Sequence, residues 1–212
     1  MPKLGPESAY IFRITHVDNV AWILRNGLHC STSDVADPKF IPIGMKDLIE
    51  RRRRRQVLVA PYGTLGDYIP FYFTPWSPML MNIKTGRNGV IQRPNNEIVI
   101  LVSSLHDIAR LNKQFLFTNA HAYANEAEYF TNLVDLHRVD WKLLQARDFR
   151  GDPEDPGKMS RYMAEALIYR HVPIDAILGM ICHDDGVKKR LDAAASAAAV
   201  NMNFKVRPDW YF

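Results

Sequence analysis

Cysteine is nearly absent. Among 212 residues only Cys30 and Cys182 occur, too few for a disulfide framework or a four-thiolate zinc site. A reducing cytoplasm is the compartment this suits. Long apolar runs are missing too. Ile98 to Val102 is typical of the longest and falls far short of the roughly 20 residues that span a bilayer, so no membrane partner is expected. Met1 to Ser8 carries Pro2, Pro6 and Glu7 without an apolar stretch, so no secretory leader is expected. No Gly-x-Gly-x-x-Gly, P-loop, Cys-x-x-Cys or His-Glu-x-x-His spacing occurs, which removes the usual supports for dinucleotide redox, P-loop ATPase and zinc-protease chemistry. Internal repeats are lacking. Composition is ordinary, 47% hydrophobic and 24% charged, and excludes disordered and collagen-like chains.

What is there is unevenly charged. Lys and Arg number 27 against 23 Asp and Glu, a net +4. Residues 51–96 hold eight of the basic residues (Arg51 to Arg55, Lys84, Arg87 and Arg93) and a single acid, Asp67, a local +7. Such a segment on an otherwise mildly acidic chain points to a phosphate-rich partner. Tyr62, Tyr68, Phe71, Tyr72, Phe73 and Trp76 lie in the same segment, and basic charge with interleaved aromatics suits single-stranded nucleic acid. The competing reading is a solvated helix end with the aromatics in the core. Pro70 to Phe73 reads as a buried strand and favours it.

Periodicity and breakers give a coarse element map. Strands are expected over Tyr10–His16, Ile69–Phe73, Glu97–Ser103, Gln114–Thr118 and Ala176–Cys182. Asp18 is placed to cap a helix that ends at Gly27. Further helices are expected from Met45 into the arginine run, from Ser77-Pro78 through Asn82, and over His106–Asn112, Asn125–Leu136 and Trp141–Ala146. Lys158–Arg170 and Asp184–Ala199 complete the helices, and residues 31–42, 84–96 and 147–157 read as loops. Asn203–Arg207 and Trp210–Phe212 are expected to close the sheet. Helices and strands mix without regular alternation, which predicts an α+β fold in one domain over 1–212.

Few residues stand out as chemistry. Glu165 is the only acid between Asp155 and Asp175. On the expected helix it shares a face with Tyr162, Ala166 and Tyr169, and a lone carboxylate there is costly unless paired or used. The bland alternative is an i,i+4 surface pair with Arg161. His121 follows a strand end, where binding residues gather, and reads equally as a ligand or a structural group. His16 reads as a satisfied core histidine, the acids after His183 as helix caps, and Cys30 as structural.

These residues fall into longer blocks with a clear resemblance. Arg13-Ile14-Thr15-His16-Val17-Asp18-Asn19, Asp67-Tyr68-Ile69-Pro70-Phe71-Tyr72-Phe73 and Ser77-Pro78-Met79-Leu80-Met81-Asn82-Ile83 resemble the DarT family, the DNA ADP-ribosyltransferase toxins of DarT–DarG toxin–antitoxin systems. Phe115 to Tyr123, Leu144 to Arg150, Arg161 to Leu167 and the closing Trp210-Tyr211-Phe212 extend the resemblance over nearly the whole chain. It implies an ADP-ribosyltransferase fold with a split mixed sheet and NAD held as a substrate in the cleft. No metal is implied. Glu165 then matches the catalytic glutamate and Arg52 the catalytic arginine. Arg13, Ile14, Thr15, Trp22, Cys30 and Arg52 fall at NAD contacts, and Tyr72, Met79, His121 and Arg54 at weaker DNA-contacting or supporting positions. The stretch from Asp34 to Arg54 resembles the element that closes over NAD, and His121 to Glu165 the loop that presents DNA.

The resemblance also implies the reaction: transfer of ADP-ribose from NAD to a base of single-stranded DNA, thymine rather than guanine if the chain follows its nearest relatives. A DarG-type macrodomain antitoxin is the implied partner. A carboxylate against the ribose stabilises positive charge as the nicotinamide bond breaks. The family gives removal of the base's proton to the arginine. A guanidinium whose pKa exceeds roughly 12 is a poor base, so Arg52 is read as stabilising and positioning the anionic base. Two alternatives stand: a non-catalytic single-strand-binding module built on 51–96, and the same chemistry on RNA or protein.

Overall fold

The clearest apolar run in the sequence becomes a central strand. A computed structural model describes residues 3–212, leaving Met1 and Pro2, the start of the segment read as leaderless, outside the described residues. The chain runs β1 (Tyr10–His16), α1 (Val20–Asn26), β2 (Leu28–His29), α2 (Lys46–Arg54), β3 (Tyr68–Tyr72) and α3 (Pro78–Thr85). It continues with β4 (Ile98–Ser104), α4 (Leu105–Arg110), β5 (Phe115–Thr118), β6 (Tyr129–Phe130), α5 (Trp141–Ala146) and α6 (Lys158–Tyr162). Then follow β7 (Glu165–Tyr169), β8 (His171–Val172), β9 (Gly179–Cys182), α7 (Asp185–Ala198) and β10 (Phe204–Val206).

Eight strands form one sheet in the order β10-β9-β4-β1-β3-β7-β5-β6, and β2 pairs with β8 apart from it. Among the described residues only β9 and β10 run parallel. β4 is β-branched or leucine over Ile98 to Val102 and pairs with β1 along its whole length, Tyr10 opposite Ser104 through His16 opposite Ile98. Buried side chains of this kind pack well on a pleated surface. Between β1 and β3, by contrast, the register holds at one pair, Phe12 opposite Tyr72. Beyond it the strands part. The sheet is therefore split, with β1-β4-β9-β10 on one side and β3-β7-β5-β6 on the other.

Val20, Ile23 and Leu24 of α1 and Val187, Leu191 and Ala195 of α7 supply helical stripes to the main core. Gly27 ends α1 with φ of +72°, and a Cβ there would lie 2.4 Å from the Val172 carbonyl. A second, smaller core joins Val57, Leu65, Tyr68, Leu116, Ala122 and Leu167, with Tyr123 and Tyr129 packed against it. It ties the chain after α2 to the segment after β5.

Four expectations are corrected. The helix expected over Lys158–Arg170 stops at Tyr162, and Glu165 opens a strand instead. Met-Ala-Glu-Ala-Leu has good local helix propensity. Pairing with β3 and β5 on both edges overrides it, and leaves Ala166, Leu167 and Ile168 fully buried. Asn125–Leu136 is likewise not a helix. The side chains of Asn119 and Glu128 close a turn there (Asn119 Nδ2 to Glu128 Oε2, 2.6 Å), β6 pairs with β5, and Asn132 opens a 3₁₀ turn over Leu133–Arg138. Trp210–Phe212 adds no strand, since Pro208 opens a 3₁₀ turn and Trp210 meets Phe12 edge-on at 5.6 Å. Asp18 is not the α1 cap. His16 caps the preceding 3₁₀ turn by accepting from the Asp18 amide at 3.2 Å.

Candidate active site

The split in the sheet makes the site. β1 leaves β3 after Phe12, so Arg13, Ile14 and Thr15 line the opening, while Tyr72 of β3 stands opposite Glu165, the first residue of β7. Pro70 has no N–H to offer a neighbouring strand. Its carbonyl accepts from Arg13 Nη1 at 2.7 Å, a side chain bridging the gap that backbone pairing leaves. The cleft holds about 690 Å³, within the range of small-molecule sites.

Glu165 is 2% exposed and meets Arg52 in a two-pronged pair, Nη1 to Oε1 at 3.0 Å and Nη2 to Oε2 at 2.8 Å. Arg52 reaches it from α2, 113 residues away in sequence. The Ala122 amide donates to Oε1 at 2.9 Å, and His121 Nε2 stands 3.8 Å from the same oxygen. Burial alone would push this carboxyl up. The charges of Arg52 and His121, with the bonds from Arg52 and Ala122, outweigh burial and hold Glu165 below the ordinary carboxylate range. Arg52 moves the other way: burial pulls it down, but the Glu165 charge and bonds raise it above an ordinary guanidinium. The pair is ionised, and Oε2, with one donor against two on Oε1, keeps a lone pair for a further donor.

Arg13 is a second buried cation of the cleft. Burial, joined by the nearby Arg52, draws it down to about 10 against the opposing effect of Tyr72 and Glu165. Its Nε is buried with no partner among the described residues. Burial and the Glu165 charge push the Tyr72 phenol well above its ordinary value, so it stays a donor.

Of the residues singled out from the sequence, Arg13, Ile14, Thr15, Trp22, Cys30, Arg52, Tyr72, Met79, His121 and Glu165 all line this one cleft. Arg54 does not. It is exposed on α2. Val35, Phe40, Pro42, Ile43 and Met45 from the stretch read as closing over NAD also line it. Asn19 pins that stretch to α1, its Oδ1 accepting from the Ile41 amide at 2.8 Å and its Nδ2 donating to the Ile41 carbonyl at 2.9 Å. The bland partner for Glu165 is corrected, because Arg161 bonds Asp155 and Asp140 instead. The aromatic stripe is also corrected in part. Tyr68, Phe71, Phe73 and Trp76 are buried core, leaving Tyr62 exposed and Tyr72 at the cleft.

Sequence reasoning missed three supports. Thr118 Oγ1 accepts from the Glu165 amide at 3.1 Å and donates to the Ala120 carbonyl at 2.6 Å. Tyr129 donates its hydroxyl to the Ala122 carbonyl, fixing the loop whose amide holds Oε1. A lone threonine ending the apolar Phe115-Leu116-Phe117 was a readable signal, whereas a backbone amide leaves none. Third, Tyr123 lies under Arg51 and Arg55, each guanidinium 5.6 Å from its ring centre.

The fold and the cleft are those of a DNA ADP-ribosyltransferase. Within that class the chain belongs to the DarT family: the model for "ssDNA thymidine ADP-ribosyltransferase, DarT" matches residues 12–212. A DNA ADP-ribosyl transferase of Escherichia coli O127:H6 is 50% identical over 99% of this chain and 96% of its own. The structure of Thermus sp. 2.9 DarT in complex with ADP-ribosylated ssDNA is similar with a TM-score of 0.90, at 30% identity over 100% of both chains. The same Thermus protein in complex with NAD+ gives 0.86, covering 98% of this chain and 99% of that one. A Thermosipho africanus DNA ADP-ribosyl transferase–DNA ADP-ribosyl glycohydrolase fusion protein is 23% identical, and the chain spans 49% of it. Among the described residues, no helix is long and apolar enough to cross a membrane.

Proposed function

We propose that this protein is the toxin of a toxin–antitoxin pair, transferring ADP-ribose from NAD to a thymine of single-stranded DNA and so blocking replication. The observation that carries the reading is the paired Arg52 and Glu165 at the mouth of a split sheet, in a chain whose family is defined by that reaction. NAD is consumed as a substrate. A DarG-type macrodomain protein that removes the modification is the partner, in keeping with the fused glycohydrolase of the Thermosipho relative. The work takes place in one domain spanning 1–212, in the bacterial cytoplasm.

Each role follows from chemistry at its position. As the nicotinamide bond breaks, positive charge grows on the ribose. Glu165, ionised and turned to the cleft, stabilises that charge and accepts from a ribose hydroxyl at the spare lone pair of Oε2. Arg52 holds the carboxylate in place and presents a fixed cation to the thymine as it turns anionic. Arg13, Ile14, Thr15, Trp22 and Cys30 hold NAD. The buried Arg13 Nε, with no partner among the described residues, is a donor waiting for an anionic or carbonyl oxygen. Tyr72, Met79 and His121 face the base, and exposed Arg54 meets phosphate.

Labelled NAD offered with single-stranded DNA, RNA and bulk protein tests the reading. It expects label on DNA alone. Label on RNA or protein supports the alternative acceptors, and binding to DNA without any transfer supports the non-catalytic module.

A further inference from the structure

Helix α2 carries Arg52 but has no fully buried residue among its nine. Helices are usually seated by an apolar face, so this one has to be placed by contacts at its surface. At Gly66 the chain comes close, since a Cβ there would lie 3.0 Å from the Arg53 Cα. Arg53 also reaches the Ser31 carbonyl at 3.3 Å, an exposed bond. A third contact is aromatic. The guanidiniums of Arg51 and Arg55 each stand 5.6 Å from the centre of the Tyr123 ring, and Arg55 Nη2 donates to Asn125 Oδ1 at 3.1 Å. Tyr123 packs in turn against the smaller core that contains Val57, Leu65, Leu116 and Leu167.

We propose that Tyr123 is a positioning residue of the transfer, its ring docking α2 through Arg51 and Arg55 and so setting Arg52 against Glu165. This deepens the function proposed above and rests on it. Arg55, the C-cap of α2, lies four residues after Arg51, a spacing that brings two side chains to one face. Arg52, next in the chain after Arg51, turns instead to the cleft and Glu165. Tyr123 itself follows Ala122, whose amide donates to Glu165 Oε1 at 2.9 Å. One ring therefore stands beside two sources of hydrogen bonds to the carboxylate, the Arg52 guanidinium and the Ala122 amide.

The force at work is the attraction of a cation for the negative face of an aromatic ring, felt within about 6 Å of its centre. It needs the ring face and not the hydroxyl. Two guanidiniums four residues apart otherwise repel each other, and a shared ring offsets that repulsion while holding both. Leucine fills similar space against the small core but has no π face. Small shifts of α2 matter because the Arg52 pair is two-pronged, and its bonds at 3.0 and 2.8 Å need both groups aligned.

The test measures single-turnover transfer from NAD to a thymine-containing single-stranded oligonucleotide, both saturating, for a series of side chains at position 123. Tyr123→Phe keeps the ring face and is expected to stay within about threefold of wild type. Tyr123→Leu is expected to lose about 5- to 30-fold, the loss of two such contacts. Phenylalanines carrying one, two and three ring fluorines, placed at the same position, separate positioning from bulk. Each fluorine draws electron density from the ring face with little change of shape, so the logarithm of the rate should fall stepwise with fluorine number toward the leucine value. A purely structural ring would leave that series flat. Thermal melting shows which variants are folded, and the fluorinated rings keep the test intact should the leucine variant fail to fold. A flat fluorine series, a phenylalanine variant as slow as the leucine one, or a leucine variant within about threefold of wild type overturns the proposal. A wild-type protein that transfers nothing to the oligonucleotide overturns the function itself, a distinguishable result.

Discussion

One carboxylate carries most of the proposed chemistry, and its surroundings make its removal readable in two ways. Glu165→Gln keeps the shape and deletes the charge. Transfer is expected to fall on the order of 10²–10³-fold or more, since charge stabilisation rather than packing is lost. Stability is expected to drop by about 1–3 kcal/mol, the cost of leaving buried donors on Arg52 and Ala122 poorly satisfied. Because Glu165 is held below the ordinary carboxylate range, its contribution is present above that range and is lost as the pH falls through the lowered value. The melting difference between wild type and Glu165→Gln should therefore narrow in acid, and calorimetry from neutral to about pH 3 checks it. Thr118→Val tests the support beneath. It strands the Glu165 amide that Oγ1 receives at 3.1 Å, so a melting loss of about 1–3 kcal/mol with a fall in kcat larger than any change in KM is expected. Sequence alone singled out Glu165 as an isolated acid but gave it the wrong neighbours. Helical spacing placed Tyr162 and Tyr169 beside it, while in the protein it faces Tyr72 across two strands.

At the level of elements, α2 and its C-cap Arg55 divide their arginines by direction. Arg52 points into the cleft, Arg51 and Arg55 lie over Tyr123, Arg53 reaches Glu50 and the Ser31 carbonyl, and Arg54 stays exposed. These positions are not interchangeable. Arg54→Ala is expected to weaken DNA binding modestly and reduce the slope of log affinity against log salt by about 1. Arg52→Lys is expected to stay largely inactive at saturating DNA, because an ammonium cannot form the two-pronged pair with Glu165. Titrations at several salt concentrations beside turnover assays separate the two. Recovery of near-full turnover by Arg52→Lys contradicts a specific role for the guanidinium. This helix was legible, as were β1, β3 and β4, because their patterns are local: an arginine run after Met45, alternation in Tyr10–His16, apolar residues at Ile98. β7 was not legible. Its residues prefer a helix locally, and only the two neighbouring strands make it extended. For the same reason the aromatics of 68–76 looked like a stacking stripe when most of them fill the core.

For the molecule as a whole, the split sheet gathers residues from β1, α2, β3, β7 and the loop after β5 into one opening. No local pattern records that gathering. It depends on the register ending at Phe12 and Tyr72, and only the resemblance of long sequence blocks carried it at the level of sequence. The arginines of α2, part of the local +7 over residues 51–96, stand beside this opening and are expected to draw nucleic acid to it. The chemistry then selects unpaired bases, since N3 of thymine is occupied in a duplex and freeing it costs a few kcal/mol. The most direct measurement is mass spectrometry of one thymine-containing oligonucleotide after incubation with NAD, run single-stranded and as its duplex. The predicted result is a single ADP-ribose mass on the thymine of the single strand, little on the duplex, and none with Glu165→Gln. Equal modification of both forms, an adduct on another base, or an adduct formed by Glu165→Gln at the wild-type rate would contradict the account.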